Sequence, residues 1–466
     1  MYKNTPLLFC VLITFLTACG EEPEVSSEID PELLAGGVNF TTFVGGENAF
    51  GVQGEELTRD ESRLFVAGNS LFRSNWISAP ASVMSLDGLG PVFNAISCGS
   101  CHFKDGRAAP PDEFSVDKSG LLFRISVDGF TETGEPRPHP VYGAQIQDRS
   151  LPAASYEAKV RIDYEFIAGT LDDGTPYELR KPIYTIEDWQ YGDVTNPFDL
   201  SPRIASQLVG LGLLENIDED DILALEDVND SDNDGISGKA NYVHDAENGG
   251  TTLGRFGWKS NQPSLRQQNA GAFNGDMGLT SDIFPKDDWT ETQESQHPEI
   301  ANGGEPEVSE EQIFRISLYV QSLAVPATRN IDDPQYSSGK QLFLDINCSG
   351  CHNPSFQTGI GSSISSLNSQ KIAPYTDLLL HDMGPDLADN RPDFEATGTE
   401  WRTAPLWGIG LIPAVNDHTR YLHDGRARNL EEAILWHGGE AEESKNKYKS
   451  LSLQEREDLL FFIKSI

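Results

Sequence analysis

Two short strings constrain this chain more than anything else in its 466 residues: Cys98-Gly99-Ser100-Cys101-His102 and Cys348-Ser349-Gly350-Cys351-His352. Cys-x-x-Cys-His is the pattern by which a c-type haem is attached. The two thiols add across the vinyl groups and the adjacent imidazole meets the iron. A lone Cys-x-x-Cys also fits a thioredoxin-like redox pair or half of a zinc site. The His directly after the second Cys, in both copies, selects haem attachment over those alternatives. Cys98, Cys101, His102, Cys348, Cys351 and His352 are therefore the expected cofactor-binding residues, for two covalently held haem c groups. Two irons in one polypeptide imply redox chemistry or electron transfer.

The N-terminus reads as a targeting segment. Lys3 supplies positive charge and Leu7 to Leu16 is an apolar run too short to span a bilayer. The string Leu16-Thr17-Ala18-Cys19-Gly20 looks like a lipoprotein cleavage box, with an ordinary signal peptide cut nearby as the alternative. Residues 1–18 are then a signal peptide and Cys19 the lipidated first residue of the mature chain. Residues 19–46 are expected to form a flexible tether, acidic at its start through Glu21, Glu22, Glu24 and Glu28. Of six cysteines, Cys10 leaves with the signal, Cys19 takes lipid and four take haem, so no disulfide is expected. An exported lipoprotein follows. Gly20 after Cys19 gives no inner-membrane retention signal, which favours the outer membrane, on its periplasmic or its surface face. Acyl chains at Cys19 would provide the membrane contact.

The formal net charge is −39, from 34 basic and 73 acidic residues. Nucleic-acid partners need basic surface and are excluded on this ground. The acidity suits solubility, cation binding or a basic electron-transfer protein partner.

Helix signals flank both motifs. Thr58 with Glu61 reads as a capping box opening a helix with Leu64, Phe65, Leu71 and Phe72 on one face. Ser309 with Gln312 opens another, with Ile313, Ile316, Val320 and Leu323 at helical spacing, ending by Pro326. Gly339 to Leu344 reads as a helix leading into Cys348, and Ser452 with Glu455 caps a final helix through Leu459, Leu460, Ile463 and Ile466. Residues 120–260 alternate more like strands, and Gly169 to Gly174 looks like a hairpin tip. The expected fold is mainly α: two cytochrome c-like haem domains, at 47–326 and 335–466, the first carrying a long α+β insertion. The linker Val325–Pro334 separates them. A duplication is a fair hypothesis, although the sequence shows no longer repeat.

Further candidate ligands stand outside the motifs. Asp230, Asp232 and Asp234 alternate before Gly235, a spacing that curls carboxylates around calcium. Asn241 at the twelfth position argues against an EF-hand, and an acidic surface turn is the alternative. Asn429 and Glu432 cap a short helix ending at His437, which from spacing alone is equally a distal iron ligand or a solvated side chain. Met277, before the late helix, is a weak candidate distal ligand of the first haem, with a core Met as the commoner outcome.

Longer strings carry a resemblance. Ser201–Ile217 (SPRIASQLVGLGLLENI), Leu253–Asp282, Tyr375–Gly384 (YTDLLLHDMG), Glu400–Leu411 (EWRTAPLWGIGL) and Leu422–Ala441 (LHDGRARNLEEAILWHGGEA) closely resemble the di-haem oxidoreductase family. The resemblance runs from about Glu47 to the C-terminus. That family is similar to bacterial di-haem cytochrome c peroxidases and to the enzyme that matures tryptophan tryptophylquinone. In those relatives the C-terminal haem takes a Met or Tyr ligand fourteen positions past a conserved His that matches His423. Here 437 − 423 = 14, so His437 occupies that position and the resemblance implies His/His ligation of the second haem. Imidazole in place of thioether lowers the potential. This departs from the peroxidases' high-potential donor haem. His139 and Tyr142 also lie in a family string (HPVYGAQIQ), and His381 and Met383 are packing or haem-edge residues.

The resemblance implies an enzyme that reduces hydrogen peroxide, or another small oxidant, at the first haem. The second haem would relay electrons from a protein partner. Two other readings stay open. One is a non-catalytic electron-transfer cytochrome. The other is a haem oxidase that modifies a partner protein. No catalytic acid or base is identifiable from the sequence.

Overall fold

Three reciprocal capping boxes start three of the four helices that frame the motifs: Thr58/Glu61 opens Arg59–Arg73, Ser309/Gln312 opens Glu310–Gln321, and Ser452/Glu455 opens Leu453–Ser465. The fourth, Pro334–Asp345, begins with Asp333 accepting the Gln335 amide and with Pro334 in the first turn. It contains the expected Gly339–Leu344 segment and starts earlier. In this computed structural model, which describes residues 1, 29–111, 120–192, 194, 196–297 and 300–466, these helices pack in two pairs.

Each pair crosses on one glycine. A Cβ on Gly68 would lie 2.4 Å from the Arg315 carbonyl oxygen, and one on Gly339 would lie 2.0 Å from that of Asp458. Only hydrogen lets the backbones approach so closely. Four residues on from each glycine stands a phenylalanine, Phe72 and Phe343. Phe72 packs at 5.3 Å from Tyr319 and 6.2 Å from His102; Phe343 packs at 5.4 Å from Phe462 and 6.4 Å from His352. The two motifs thus sit beside the same helix-pair arrangement, a repeat that the sequence does not display as a longer string.

The expectation of a mainly α chain is corrected by the structure, in which about 30% of residues are helical and 19% are in strands. Among the described residues the strands pair two by two, in seven small sheets. Most strands are two or three residues long, as at Leu380–Asp382 with Glu400–Arg402, too short to show a period-two pattern. The capped helices announce themselves and such strands do not. The largest sheet is the hairpin Lys159–Thr170 with Pro176–Glu187, closed at Thr170 opposite Pro176, around the expected Gly169–Gly174 tip. Leu121–Ser126 pairs with Asp199–Ile204 and covers a small core of Phe123, Ile125, Ile146 and Ala158.

One larger core runs through both halves of the chain, from Phe40 to Ile466. Part of the 19–46 span expected as a tether is folded: Gly37–Phe40 is helical, Phe40 is fully buried, and Thr41–Thr42 pairs in parallel with Val325–Pro326. The expected linker therefore begins inside the core. The signal segment and Cys19 lie outside the described residues. No helix among the described residues is long and apolar enough to cross a membrane.

The hairpin tip docks on the C-terminal helices. The Asp172 amide donates to the Lys449 carbonyl (3.1 Å), and Arg456 donates to Asp173 at 2.8 Å. The Arg456 hydrogen bond, with the Thr175 amide, holds the Asp173 carboxyl down at about 2.

Two predictions follow from these contacts. Gly68→Ala and Gly339→Ala should each cost about 1–3 kcal/mol in urea unfolding, because the new methyl meets a backbone carbonyl and not a movable side chain. Gly361→Ala, with open space around it, should stay within about 0.5 kcal/mol of the parent. Equal effects at 339 and 361 would refute the crossing argument. Asp173 has a depressed folded pKa, so its contribution is present above the ordinary value of 3.8 and is lost as pH falls through about 2. The difference in thermal stability between the parent and Asp173→Asn should be full at neutral pH and close over that acid window.

Candidate functional site

Each motif is folded as one helical turn. The His102 amide donates to the Cys98 carbonyl and the His352 amide to the Cys348 carbonyl, both at 3.0 Å. Spacings of three and four residues put both thiols and the imidazole on one side of such a turn. This is the physical reason for the motif's spacing. Burial pushes the Cys98, Cys101 and Cys348 thiols up to about 12 and raises that of Cys351. Burial thus disfavours the thiolate form on which redox pairs rely.

The second motif opens into a cavity of about 230 Å³, with walls that include Ile409, Ile412 and Ile434. Cys348, Cys351, His352 and His437 all line it. His352 Nδ1 pairs with the Tyr375 carbonyl at 2.9 Å and His437 Nδ1 with the Ala433 carbonyl at 2.6 Å. Each ring therefore keeps Nε2 as the nitrogen with its lone pair free, the arrangement that orients imidazole toward a metal. Burial pushes His352 down to about 4, with the nearby His437 ring adding to the effect, and burial also lowers His437. Two neutral imidazoles and two un-ionised thiols around one apolar cavity form a donor set that fits a haem. His437 follows the Leu430–Trp436 helix as its C-terminal cap residue, and Asn429 caps the other end as expected.

The thiols of the two motifs do not come together in any Cys/His/Asp/Glu cluster among the described residues, which removes a shared zinc site. One cluster does join Cys351, Asp377 and His381. It is an ion triad and not an open metal site. His381 Nε2 pairs with Asp377 at 2.8 Å and Nδ1 with Glu440 at 2.7 Å, so both nitrogens carry protons. Burial acts to lower the His381 pKa, but the Asp377, Cys351 and Glu440 contacts together hold it well above the usual range. His381 and Met383 both line the cavity.

His423 forms another part of that wall. Trp401 stacks on it at 3.8 Å with planes 7° apart. Fully buried Lys259 lies 4.6 Å from the Trp401 ring centre. Its three ammonium protons go to Asp389 (2.8 Å), the Arg391 carbonyl (2.8 Å) and the Thr397 carbonyl (2.7 Å).

At the first motif, His102 Nδ1 pairs with the Ser206 carbonyl at 2.7 Å, and burial lowers the ring's pKa. Asp276 is a half-buried carboxyl whose charge acts on Cys98 and Cys101, and it accepts from Gln145 at 2.8 Å. Ser206 is itself part of the wall of the second motif's cavity. The loop after His102 is laced to the same strand end: the Ala108 amide donates to Ala205 and the Leu208 amide to Asp105, both at 3.0 Å.

Other expected site residues lie elsewhere. Met277 is buried in the main core at the end of the Leu265–Met277 helix, next to Asp276. His139 accepts the Val141 and Tyr142 amides at 3.2 and 3.3 Å, which makes it a turn-holding residue. Asp230 and Asp232 cluster with Asp227, while Asp234 accepts the Ile236 amide at 2.8 Å. Sequence reasoning missed Asp227, Asp276 and the carbonyls of Ser206 and Tyr375. The last two fall inside family strings, but a backbone acceptor leaves no residue-type signal.

No curated protein and no solved structure matches this chain significantly. A family model described as "Di-haem oxidoreductase, putative peroxidase" matches residues 32–466, nearly the whole sequence. The chain belongs to the di-haem oxidoreductase family, and haem is its cofactor class.

Proposed function

We propose that the chain is an exported c-type di-haem oxidoreductase that reduces hydrogen peroxide at the N-terminal haem, with electrons relayed by the C-terminal haem. The observation that carries this reading is the position of Ser206. Its carbonyl orients His102, and the same residue lines the cavity of His352 and His437. One residue therefore lies between the two haem sites, as an electron relay requires. The thioether links would run to Cys98 and Cys101, and to Cys348 and Cys351.

When bound, the first haem supplies the iron at which two electrons and two protons convert hydrogen peroxide to two waters. The chain's residues supply orientation. The carbonyls of Ser206 and Tyr375 fix the tautomers of His102 and His352. His437, which lines the same cavity as His352, would hold the C-terminal haem with a second imidazole, a ligand set suited to electron transfer. The division into haem units at 47–326 and 335–466 draws support from the matching glycine crossings. The acidic surface favours a basic electron-transfer protein as partner. Cys19 is the proposed lipid anchor to the outer membrane, and the Asp227, Asp230 and Asp232 turn the proposed calcium site.

The test uses chain made in a host with an intact cytochrome c maturation system. Its intact mass should show two added haems. Peroxide added after partial reduction should reoxidise both haems rapidly, and His102→Ala should abolish this while leaving the second haem's spectrum unchanged. Two low-spin irons that ignore peroxide in every redox state would replace the enzyme reading with the electron carrier.

A further inference from the structure

Among the described residues, two guanidinium groups in the cavity wall have no anionic partner. Arg107 and Arg402 both line the cavity of Cys348, His352 and His437. Arg107 donates through Nε to the Arg420 carbonyl at 2.9 Å and through Nη2 to the Leu422 carbonyl. Arg402 donates through Nε to the Gly257 carbonyl (2.9 Å) and through Nη1 to the Thr403 carbonyl (3.1 Å). Every partner is a neutral oxygen. Among the described residues neither arginine forms a salt bridge, and Arg107 Nη1 and Arg402 Nη2 meet no acceptor.

Arg255 and Arg329 also donate only to backbone oxygens but lie outside the cavity, and other buried cations are paired. The buried cations Arg203, Lys259, Arg426 and Arg456 each face a carboxylate, at 2.8, 2.8, 2.9 and 2.8 Å. Acidic residues outnumber basic ones 73 to 34, so carboxylates are plentiful. A buried charge without a counter-ion is costly, and burial pushes both Arg107 and Arg402 down to about 10. The carboxylates whose fields reach them are engaged elsewhere: Asp424 with Arg426, and Asp377 with His381. The two arginines flank one residue. Arg107 lies 5.2 Å over the Trp258 ring, and the Arg402 amide donates to the Trp258 carbonyl at 2.9 Å. A ligand that brings its own carboxylates into this cavity would complete both sites, and haem carries two propionates.

We propose that Arg107 and Arg402 are the counter-ions of the propionates of the second haem. This rests on the two-haem reading above and assigns the pocket's cationic residues. Arg107 stands five positions after His102, so the loop of the first motif supplies a side chain to the haem of the second. Planar guanidinium suits a carboxylate better than ammonium does.

The test uses the full, haem-loaded chain and the variants Arg107→Gln, Arg107→Lys, Arg402→Gln and Arg402→Lys. Intact mass counts the haems, and a spectroelectrochemical titration reads the second haem's midpoint potential. Loss of a positive charge beside the iron favours the ferric state. Both Gln variants should lower the potential, and both Lys variants should stay close to the parent. Gln variants that hold two haems at unchanged potential would overturn the proposal, as would equal shifts for Gln and Lys. The resonance Raman propionate bending mode covers the case of a Gln variant that fails to load. It should shift between the parent and each Lys variant, and an unshifted mode in both overturns the assignment. A parent chain whose mass lacks two macrocycles would remove the two-haem reading and this proposal with it.

Discussion

One small interaction is made three times in this protein: a backbone carbonyl accepts the Nδ1 proton of a half-buried histidine. Ser206 does this for His102, Tyr375 for His352 and Ala433 for His437. The bond fixes the tautomer and the ring plane, and it leaves Nε2 as the free nitrogen. Burial lowers the pKa of all three rings, which favours the neutral form that can bind iron. Without these carbonyls the cysteines would still be present, but an imidazole free to turn would not present a fixed ligand.

The fold arranges those carbonyls at long range. Tyr375 and Ser206 lie away in sequence from the histidines they hold, Tyr375 between two short strands and Ser206 between the strand Asp199–Ile204 and the helix Leu211–Glu215. The helices supply the rigid frame. Gly68 and Gly339 let two helix pairs cross closely, and Phe72 and Phe343 carry each crossing down to a motif histidine. A triad of Asp377, His381 and Glu440 and the fully buried Lys259 brace the remaining wall. These polar groups are fully paired, which is what allows charge so close to an apolar cavity.

Much of this was legible in the sequence, and the reason differs by element. The capping boxes at Thr58, Ser309 and Ser452 are local chemistry, so the helices begin where the sequence places them. Cys-x-x-Cys-His is likewise local, and a fixed distance from His423 singled out His437. The strands were mostly hidden because two or three residues cannot show alternation, and the mainly α expectation failed for that reason. Met277 lies in the core and His139 holds a turn, places that residue type alone does not reveal. A ligand-type residue in a suggestive string is often core or turn, and only its contacts tell which. Ser206, Tyr375 and Asp276 act through a carbonyl or through burial, and neither is written in residue type.

The central claim is that His352 and His437, which line one cavity, would together hold the second haem. Electron paramagnetic resonance of the ferric, haem-loaded chain tests it most directly, read together with His437→Ala. The account predicts one low-spin signal of bis-imidazole type that converts to high spin in the variant. An unchanged low-spin signal after His437 is removed would contradict it.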